Sequence, residues 1–250
     1  MIKLNNVQRS FGQNCVLNGV NLNIGQGETF LLIGRSGAGK TVLLKTILGL
    51  LRPDSGMISI DGEEIAQLAK NELEEIRLKF GLVFQNSALF DFLTVWENVS
   101  FFLKQHTKMS KKEMHKKVSQ TLALVGLADI EDMYPYELSG GMQKRVAIAR
   151  AIIYNPKIII YDEPTTGIDP IAVDKIVSLI KDLHNRLSAT SLVVTHDLET
   201  GLKIADRIAF LLGGKIIFEG KKEDVKHTKD KRLLQFIQGA SGGPIKEMEV

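Results

Sequence analysis

A glycine-rich segment, GRSGAGKT, spans residues 34–41 and contains the residue types that bind phosphate groups. Its glycines let the backbone approach a ligand closely, so that main-chain N–H groups and the start of the next helix can hold phosphate oxygens. Lys40 is predicted to reach the β- and γ-phosphates, and the Thr41 hydroxyl to bind Mg²⁺. The residues predicted to bind nucleotide in this phosphate-binding segment are Gly34, Ser36, Gly37, Gly39, Lys40 and Thr41.

A short apolar stretch, KIIIYDEP at residues 157–164, ends in two carboxylates. In open α/β sheets, ligands bind at the carboxyl ends of the strands, which is where this pattern delivers the acids. Asp162 is predicted to hold Mg²⁺ through its water shell, and Glu163 to orient and polarise an attacking water. Together with the phosphate-binding segment, the two acids favour nucleotide hydrolysis over a solvated acidic turn.

A second set of anion-ready backbone groups occurs in LSGGMQKR, the signature segment at residues 138–145. Ser139 is a candidate N-cap of the following helix, and Gly140 and Gly141 leave main-chain N–H groups uncovered. One nucleotide needs only one phosphate loop, so this segment is predicted to contact the γ-phosphate of a nucleotide held by a second copy of the chain. Two copies related by a twofold axis would then enclose two ATP molecules.

Hydrophobic periodicity predicts the elements that position these residues. MIKLNNVQ, VLNGVNLNI and MISIDGEEI predict antiparallel strands near the N-terminus. A buried strand and a helix flank the phosphate-binding segment, and a helical segment separates the buried strands KIIIYDE and SLVVTHD, which gives a βαβ pattern. NELEEIRLKF and most of residues 86–150 are predicted to be helical. RIAFLLGGKIIFEG predicts a hairpin with its turn at Gly213 and Gly214, and residues 239–244 a flexible end. The fold class is therefore α/β.

Composition and charge limit the partners and the cell compartment that the chain is predicted to have. The net charge of +3 does not favour a nucleic-acid partner, and the basic runs at 108–117 and 221–232 are predicted to be solvated surface, with a face toward anionic lipid or a permease loop as the alternative. The single cysteine, Cys15, allows no intrachain disulfide and, with an N-terminus that lacks an apolar signal, predicts the cytoplasm. No apolar run approaches the roughly 18–20 residues of a membrane span, so a membrane role would depend on a partner.

The motifs together resemble those of ABC-transporter ATPases over roughly residues 1–237. GRSGAGKT resembles the Walker A loop, KIIIYDE the Walker B strand and LSGGM the signature, whereas the N-K-x-D sequence expected of a guanine-specific GTPase is not found. The resemblance implies that Gln85 in VFQNS contacts Mg²⁺ and that Asp169 in TTGID belongs to the D-loop. It also implies that His196 in VVTHD senses the γ-phosphate and that Phe11 stacks on adenine. The implied catalytic residues are Glu163, His196 and Gln85, and the implied metal ligands are Thr41, Gln85 and Asp162.

The resemblance also implies a fold and a domain organisation. The expected fold is that of a P-loop NTPase, with a RecA-like core, an antiparallel β subdomain and an inserted helical subdomain. Residues 1–237 are expected to form a single domain, in which 1–85 and 153–237 make the core and β layer and 86–152 the helical subdomain. Residues 238–250 are expected to be a flexible tail. The implied cofactors are ATP and Mg²⁺, and the implied assembly is a homodimer.

Four longer stretches resemble the ATPases of Mce/Mla-type lipid transporters more specifically. They are GKTVLLK, VFQNSALFDFLTVWENVSF, YPYELSGGMQKRVAIARAI and YDEPTTGIDP, and they include Val42 and Met142, where most ABC ATPases have other residues. This resemblance implies a permease contacted through the aromatic segment, residues 86–102, and an Mce-domain protein that handles phospholipid or another hydrophobic substrate. It implies a location at the cytoplasmic face of the inner membrane.

Three alternative functions remain open at this point. A small-solute importer ATPase would share every catalytic motif and differ only in its partner. An ABC ATPase acting on nucleic acid or ribosomes is less favoured, because such proteins usually carry coiled-coil inserts, zinc cysteines or tandem cassettes. A catalytically idle regulatory subunit is disfavoured by Lys40, Glu163 and His196.

Overall fold

The computed structural model describes residues 1–245, in which strands and helices alternate along the chain. The strands are β1 (Ile2–Phe11), β2 (Asn14–Ile24), β3 (Thr29–Ile33), β4 (Ser55–Ile60), β5 (Glu63–Glu64), β6 (Phe80–Val83), β7 (Ile158–Asp162), β8 (Thr190–Thr195), β9 (Arg207–Leu212) and β10 (Lys215–Lys221). The helices are α1 (Lys40–Ile47), α2 (Lys70–Arg77), α3 (Val95–His106), α4 (Lys111–Leu124), α5 (Gly140–Ile152), α6 (Pro170–Leu187), α7 (Leu198–Ile204) and α8 (Lys231–Gln238). Short 3₁₀ helices span Pro135–Glu137 and Lys222–His227.

The chain forms two compact units, and the first comprises Met1–Ile24, Phe30–Gln67 and the chain from Thr195 onward. In this unit an antiparallel sheet has the strand order β2-β1-β4-β5. Strand β9 pairs with β10 in antiparallel and with β3 in parallel orientation. Every residue of β3 is buried, as expected of a short apolar strand covered on both faces. The phosphate-binding segment connects β3 directly to α1.

The second unit comprises Gly25–Thr29 and Leu68–Val194. Its strands β8, β7 and β6 lie side by side and are all parallel, and helices α2 to α6 belong to the same unit. The first four residues of β7 and the apolar residues of α5 from Val146 to Ala149 are buried and form part of its core. Asp162, the last residue of β7, is half-buried.

The structure confirms the predicted α/β class, the N-terminal antiparallel strands and the hairpin. Gly213 and Gly214 connect β9 to β10 with φ of 56° and 72°, the left-handed conformation that two-residue hairpin turns require. The prediction for NELEEIRLKF was wrong at its end, because α2 stops at Arg77 and Phe80 begins β6. Strand β6 is only four residues long and is fixed by parallel pairing with β7, so local periodicity does not indicate it.

The C-terminal part of the first unit contains two short helices, α7 and α8. The sequence patterns do not predict α7 or α8, and α8 occupies part of the second basic run. Beyond α8, the Gln235 side chain donates to the carbonyl oxygens of Ala240 (3.2 Å) and Ile245 (3.1 Å) and accepts from the Ile245 N–H (2.7 Å). Residues 246–250 of the predicted flexible tail lie outside the described residues.

Candidate functional site

The start of α1 has the properties of an anion site. Its N-cap, Gly39, has φ of 100°, and within residues 1–245 no side chain caps this helix and no acid occupies its first turn. Helices α3 to α8 each receive a hydrogen-bonding side chain at the same position. Because the first N–H groups of a helix need acceptors and carry partial positive charge, α1 is suited to phosphate oxygens.

Two glycines of the phosphate-binding segment, Gly34 and Gly39, are packed closely against other parts of the chain. A Cβ at Gly34 would lie 2.6 Å from the carbonyl oxygen of Leu211, so only glycine fits there. The Lys40 ammonium group donates to the carbonyl oxygens of Gly34 (2.7 Å) and Arg35 (3.2 Å). Ser36, Gly37 and Thr41 are exposed. The predicted phosphate-binding residues therefore lie together in one loop, with the lysine folded over it.

Two further predicted residues of the first unit lie at the ends of strands. Phe11 ends β1 and is 46% exposed as a residue, which suits stacking of its ring against a flat ligand. His196 follows β8 directly and is exposed. The next residue, Asp197, donates its N–H to Thr195 Oγ1 (3.0 Å) and caps α7 by accepting from the Thr200 N–H (3.1 Å). The histidine thus lies between a strand end and a fixed helix start.

In the second unit, Glu163 is held in an unusual conformation. Its φ of 49° is left-handed, which is rare for a residue with a side chain, and the residue is only 7% exposed. Its N–H donates to the Val194 carbonyl (2.8 Å), and Thr166 Oγ1 donates to its Oε2 (3.2 Å). Backbone strain of this kind persists only where the surroundings fix it, and it clusters at functional sites. The predicted catalytic acid is therefore buried and tightly oriented.

The signature segment begins α5 as predicted. Ser139 is the N-cap and accepts from the Met142 N–H (3.3 Å), and the first turn of α5 carries no acid within the described part of the chain. A Cβ at Gly140 would have Ile168 Cγ2 as its nearest neighbour at 3.5 Å, an ordinary contact. Asp169, the predicted D-loop residue, is itself the N-cap of α6 and accepts from the Ala172 N–H (2.9 Å).

Sequence reasoning missed two cations of α5 that hold the glutamine loop, residues 85–88. Lys144 is only 4% exposed, and its ammonium group donates to the Gln85 carbonyl. Arg150 donates to the carbonyls of Ala88 (2.7 Å) and Ser87 (2.9 Å). Burial lowers the pKa of Lys144, while the carboxylates of Glu163 and Asp162 act in the opposite direction. The signal that could have identified both residues is the presence of charges on an otherwise apolar, buried helix.

The aromatic segment presents apolar side chains at the surface of the second unit. Phe92 is 77% exposed, and the Phe90 ring lies 5.8 Å from that of Phe92 and 5.1 Å from that of Phe101, between centroids. Buried Asn98 fixes this part of the chain, because it accepts from the Phe90 N–H (2.9 Å) and donates to the carbonyls of Phe90, Leu93 and Thr94 (3.1 Å each). Trp96 and Phe102 are half-buried.

The donor types of the predicted metal ligands fit Mg²⁺. Thr41 in the first unit offers a hydroxyl oxygen, and Gln85 and Asp162 in the second offer an amide and a carboxylate oxygen, which are the ligands that this hard cation prefers. Within residues 1–245, no helix is both long and apolar enough to cross a bilayer.

Known proteins resemble this chain over most of its length. A sequence profile described as ABC transporter matches residues 17–166. The chain is 40% identical over 246 residues to the intermembrane phospholipid transport system ATP-binding protein MlaF of Haemophilus influenzae, covering 98% of this chain and 93% of that protein. It is 39% identical over 244 residues to the probable ribonucleotide transport ATP-binding protein mkl of Mycobacterium tuberculosis, covering 98% and 68%. The structure of the ATP-binding cassette MJ0796, dimeric and bound to ADP and Pi after hydrolysis, matches with a TM-score of 0.80 and 38% identity, covering 89% of this chain and 99% of that one.

Proposed function

Because the chain belongs to the ABC transporter family, we propose that it is the ATPase subunit that drives a permease carrying phospholipid or another hydrophobic substrate. The chain is an ATP-hydrolysing member of this family. The main support for ATP hydrolysis is that the chain has two helix starts suited to phosphate, at α1 and α5. It also has a buried and oriented acid, Glu163.

We assign the roles toward ATP unit by unit. In the first unit, the phosphate-binding segment holds the phosphates through its N–H groups and Lys40, and Phe11 stacks on the adenine. His196 senses the γ-phosphate. In the second unit, Glu163 orients and polarises the attacking water, and its fixed position reduces the entropy lost on reaching the transition state.

Mg²⁺, when bound, neutralises charge on the phosphates. Thr41, Gln85 and Asp162 would hold it through oxygen atoms. Lys144 keeps the Gln85 backbone in place, so the loop that carries this proposed ligand is attached to the helix of the signature segment.

The signature segment acts on the nucleotide of a second copy of the chain. Ser139, Gly140 and Gly141 approach a phosphate through the start of α5, and Asp169 lies at the start of α6 in the same unit. The dimeric state of MJ0796 supports a homodimer as the working form. Since ATP would bind the closed dimer better than the open one, binding closes it and hydrolysis reopens it.

The aromatic segment is the proposed contact with the permease. The exposed rings of Phe90 and Phe92 lie on a loop fixed by Asn98, and that of Phe101 lies on α3. Arg150 links this region to the glutamine loop because its guanidinium also lies 5.9 Å from the Phe90 ring centroid. A partner helix that inserts between these rings would move the glutamine loop with them. The name of MlaF supports phospholipid as the substrate. An Mce-domain protein and a position on the cytoplasmic face of the inner membrane belong to the same proposal.

Glu163→Gln tests the catalytic part of the proposal. The change removes the carboxylate charge that polarises the water but keeps the shape of the side chain, so turnover should fall at least about a hundredfold while ATP binding persists. With ATP and Mg²⁺ the variant should elute as a dimer by size-exclusion chromatography with light scattering. Glu199→Gln on the exposed face of α7 is the matched control and should hydrolyse ATP normally. Normal turnover in Glu163→Gln would contradict the assignment.

Purification of the tagged chain from gently solubilised native membranes tests the substrate. A multispanning permease, an Mce-domain protein and enriched phospholipid, identified by mass spectrometry, are the expected result. A permease with a soluble solute-binding protein and no lipid would instead support a small-solute importer. The name of mkl makes ribonucleotides the first solutes to test in that case.

A further inference from the structure

The β1–β2 hairpin places Arg9 against the ring of Phe11. Phe11 pairs with Asn14 in the ladder, and Gly12, with φ of 60°, begins the tight turn between the strands. The Arg9 guanidinium carbon lies 4.8 Å from the Phe11 ring centroid, within the range of a cation–π contact. The cation therefore covers part of a ring that remains about half exposed.

Asp54, in the turn before β4, fixes this arginine and the backbone beside it. Its Oδ1 accepts from Arg9 Nη1 and its Oδ2 from the Ser10 N–H, both at 2.6 Å. The Asp54 N–H in turn donates to the Gln8 carbonyl at 2.8 Å. Arg9 Nε is buried and has no hydrogen-bond partner among residues 1–245, so Asp54 and the Phe11 ring are the contacts that orient the guanidinium group.

We propose that Arg9 and Asp54 are positioning residues that hold the Phe11 ring in the orientation in which it stacks on a nucleobase. The inference rests on the proposed function, because it takes Phe11 as the base-stacking residue. An aromatic side chain on an exposed hairpin loses rotational freedom when a ligand binds, and a ring that is already held loses less. With the cation on one face, the other face is left for the base.

A purely structural role explains the arrangement less well. Ion pairs between exposed side chains stabilise folds little, and the side chains of Arg9 and Asp54 are 25% and 43% exposed. Asp54 nevertheless holds both the side chain of Arg9 and the backbone next to it, at the residues that precede Phe11. Loss of the contacts between Arg9, Asp54 and Phe11 should therefore weaken binding of the base and leave binding of the phosphates unchanged.

Two ligands separate the contributions of the base and of the phosphates to binding by the full-length chain. ATP carries a base, whereas inorganic tripolyphosphate does not, and calorimetry gives the dissociation constant of each. Arg9→Met and Asp54→Asn should each weaken ATP binding about fivefold and leave tripolyphosphate binding unchanged. Arg9→Lys keeps the charge but loses the planar fork and should fall in between. Lys3→Gln, an exposed change on the same strand, is the control and should alter neither constant.

A double-mutant cycle tests whether Asp54 affects ATP binding through the Phe11 ring. In the Phe11→Ala background, Asp54→Asn should cause no further loss of ATP affinity, because the ring on which it acts is gone. An equal loss for both probes, or a full additional loss in the double variant, would overturn the inference. If Phe11→Ala weakens ATP binding and neither Asp54→Asn nor Arg9→Met does, the inference fails while the proposed function stands. If the unmodified chain binds neither probe, the proposed function fails, and the inference fails with it.

Discussion

The two helix starts suited to phosphate, at α1 and α5, are built differently. Gly39 begins α1 in a left-handed conformation, with no side-chain cap from the part of the chain that the structure describes, and Lys40 folds over the preceding loop. Ser139 begins α5 in an extended conformation, and its hydroxyl already serves its own helix. Among the described residues, no side chain competes with a ligand for the first N–H groups of α1, whereas the Ser139 hydroxyl already satisfies one N–H group of α5, that of Met142. We therefore expect α1 to determine nucleotide affinity and α5 to act only after a nucleotide is bound.

This comparison predicts that replacing Lys40 has the largest effect, which is a loss of ATP affinity. Lys40→Ala removes the cation from the phosphate-binding segment, so ATP affinity should fall about a hundredfold, or about 3 kcal/mol. Calorimetry with ATP and Mg²⁺ measures the change. Lys45→Ala, an exposed lysine in the last turn of the same helix, should bind ATP normally. If Lys40→Ala retains its affinity, the nucleotide is not held by this segment.

Gly140→Asp should have the next largest effect, which should be on turnover and not on ATP affinity. A side chain fits at this exposed position, and an acid in the first turn favours the helix itself, so the melting temperature should not fall. The new charge should repel an incoming phosphate, which would lower turnover on the order of 30-fold, or ~2 kcal/mol. ATP affinity of the separate chain should be unchanged. Gly140→Ala adds only a methyl group and should retain most of the turnover, and a loss of ATP affinity in Gly140→Asp would remove the proposed difference between the two helix starts.

Lys144→Met tests whether α5 also acts through the glutamine loop. The change preserves the length of the side chain but removes the donor to the Gln85 carbonyl, so turnover should fall about tenfold, or ~1.4 kcal/mol, with little change in ATP affinity. Steady-state kinetics separates the two effects as a loss in kcat at nearly constant KM. Arg145→Met removes a cation from the same helix that bonds instead to the Gly126 carbonyl. Equal losses in both variants would indicate a general destabilisation of α5.

Ser139→Ala should have the smallest effect. Loss of the cap should destabilise the chain by about 1 kcal/mol and lower turnover only about threefold, because the backbone N–H groups of Gly140 and Gly141 remain. Ser110→Ala is a matched control, since Ser110 caps α4 with the same bond length of 3.3 Å to the Glu113 N–H. Both variants should melt earlier by a similar amount in calorimetric scans, and only Ser139→Ala should lose turnover. Equal turnover in the two variants would mean that Ser139 only caps α5 and does not contribute to hydrolysis.

Much of the fold and of the local sites could be predicted, because the signals lie close together in the sequence. The resemblance to ABC-transporter ATPases and the fold class are confirmed by the family match and by the likeness to MJ0796. The Ser139 cap and the turn at Gly213 and Gly214 follow from residues that are neighbours in the chain. The roles of the individual site residues and the domain boundaries stay predictions.

The contacts that were missed join residues far apart in sequence. Lys144 bonds to a carbonyl 59 residues earlier, and Arg150 to carbonyls 62 and 63 residues earlier. Such bonds depend on the packing of α5 against the glutamine loop, which periodicity along the chain does not encode. Strand β6 was missed for the same reason, because its pairing partner β7 lies far along the chain.

The measurement that tests the central claim most directly is the ATPase activity of a mixture of two defective variants. Lys40→Ala lacks the phosphate-binding cation, and Gly140→Asp lacks a working signature segment. If the signature segment serves the nucleotide of the second copy, a mixed dimer contains one complete site. An equal mixture should then recover roughly a quarter of normal activity, because about half of the dimers are mixed and each has one of two sites intact. If the mixture is no more active than the variants measured separately, the signature segment does not act on a second copy.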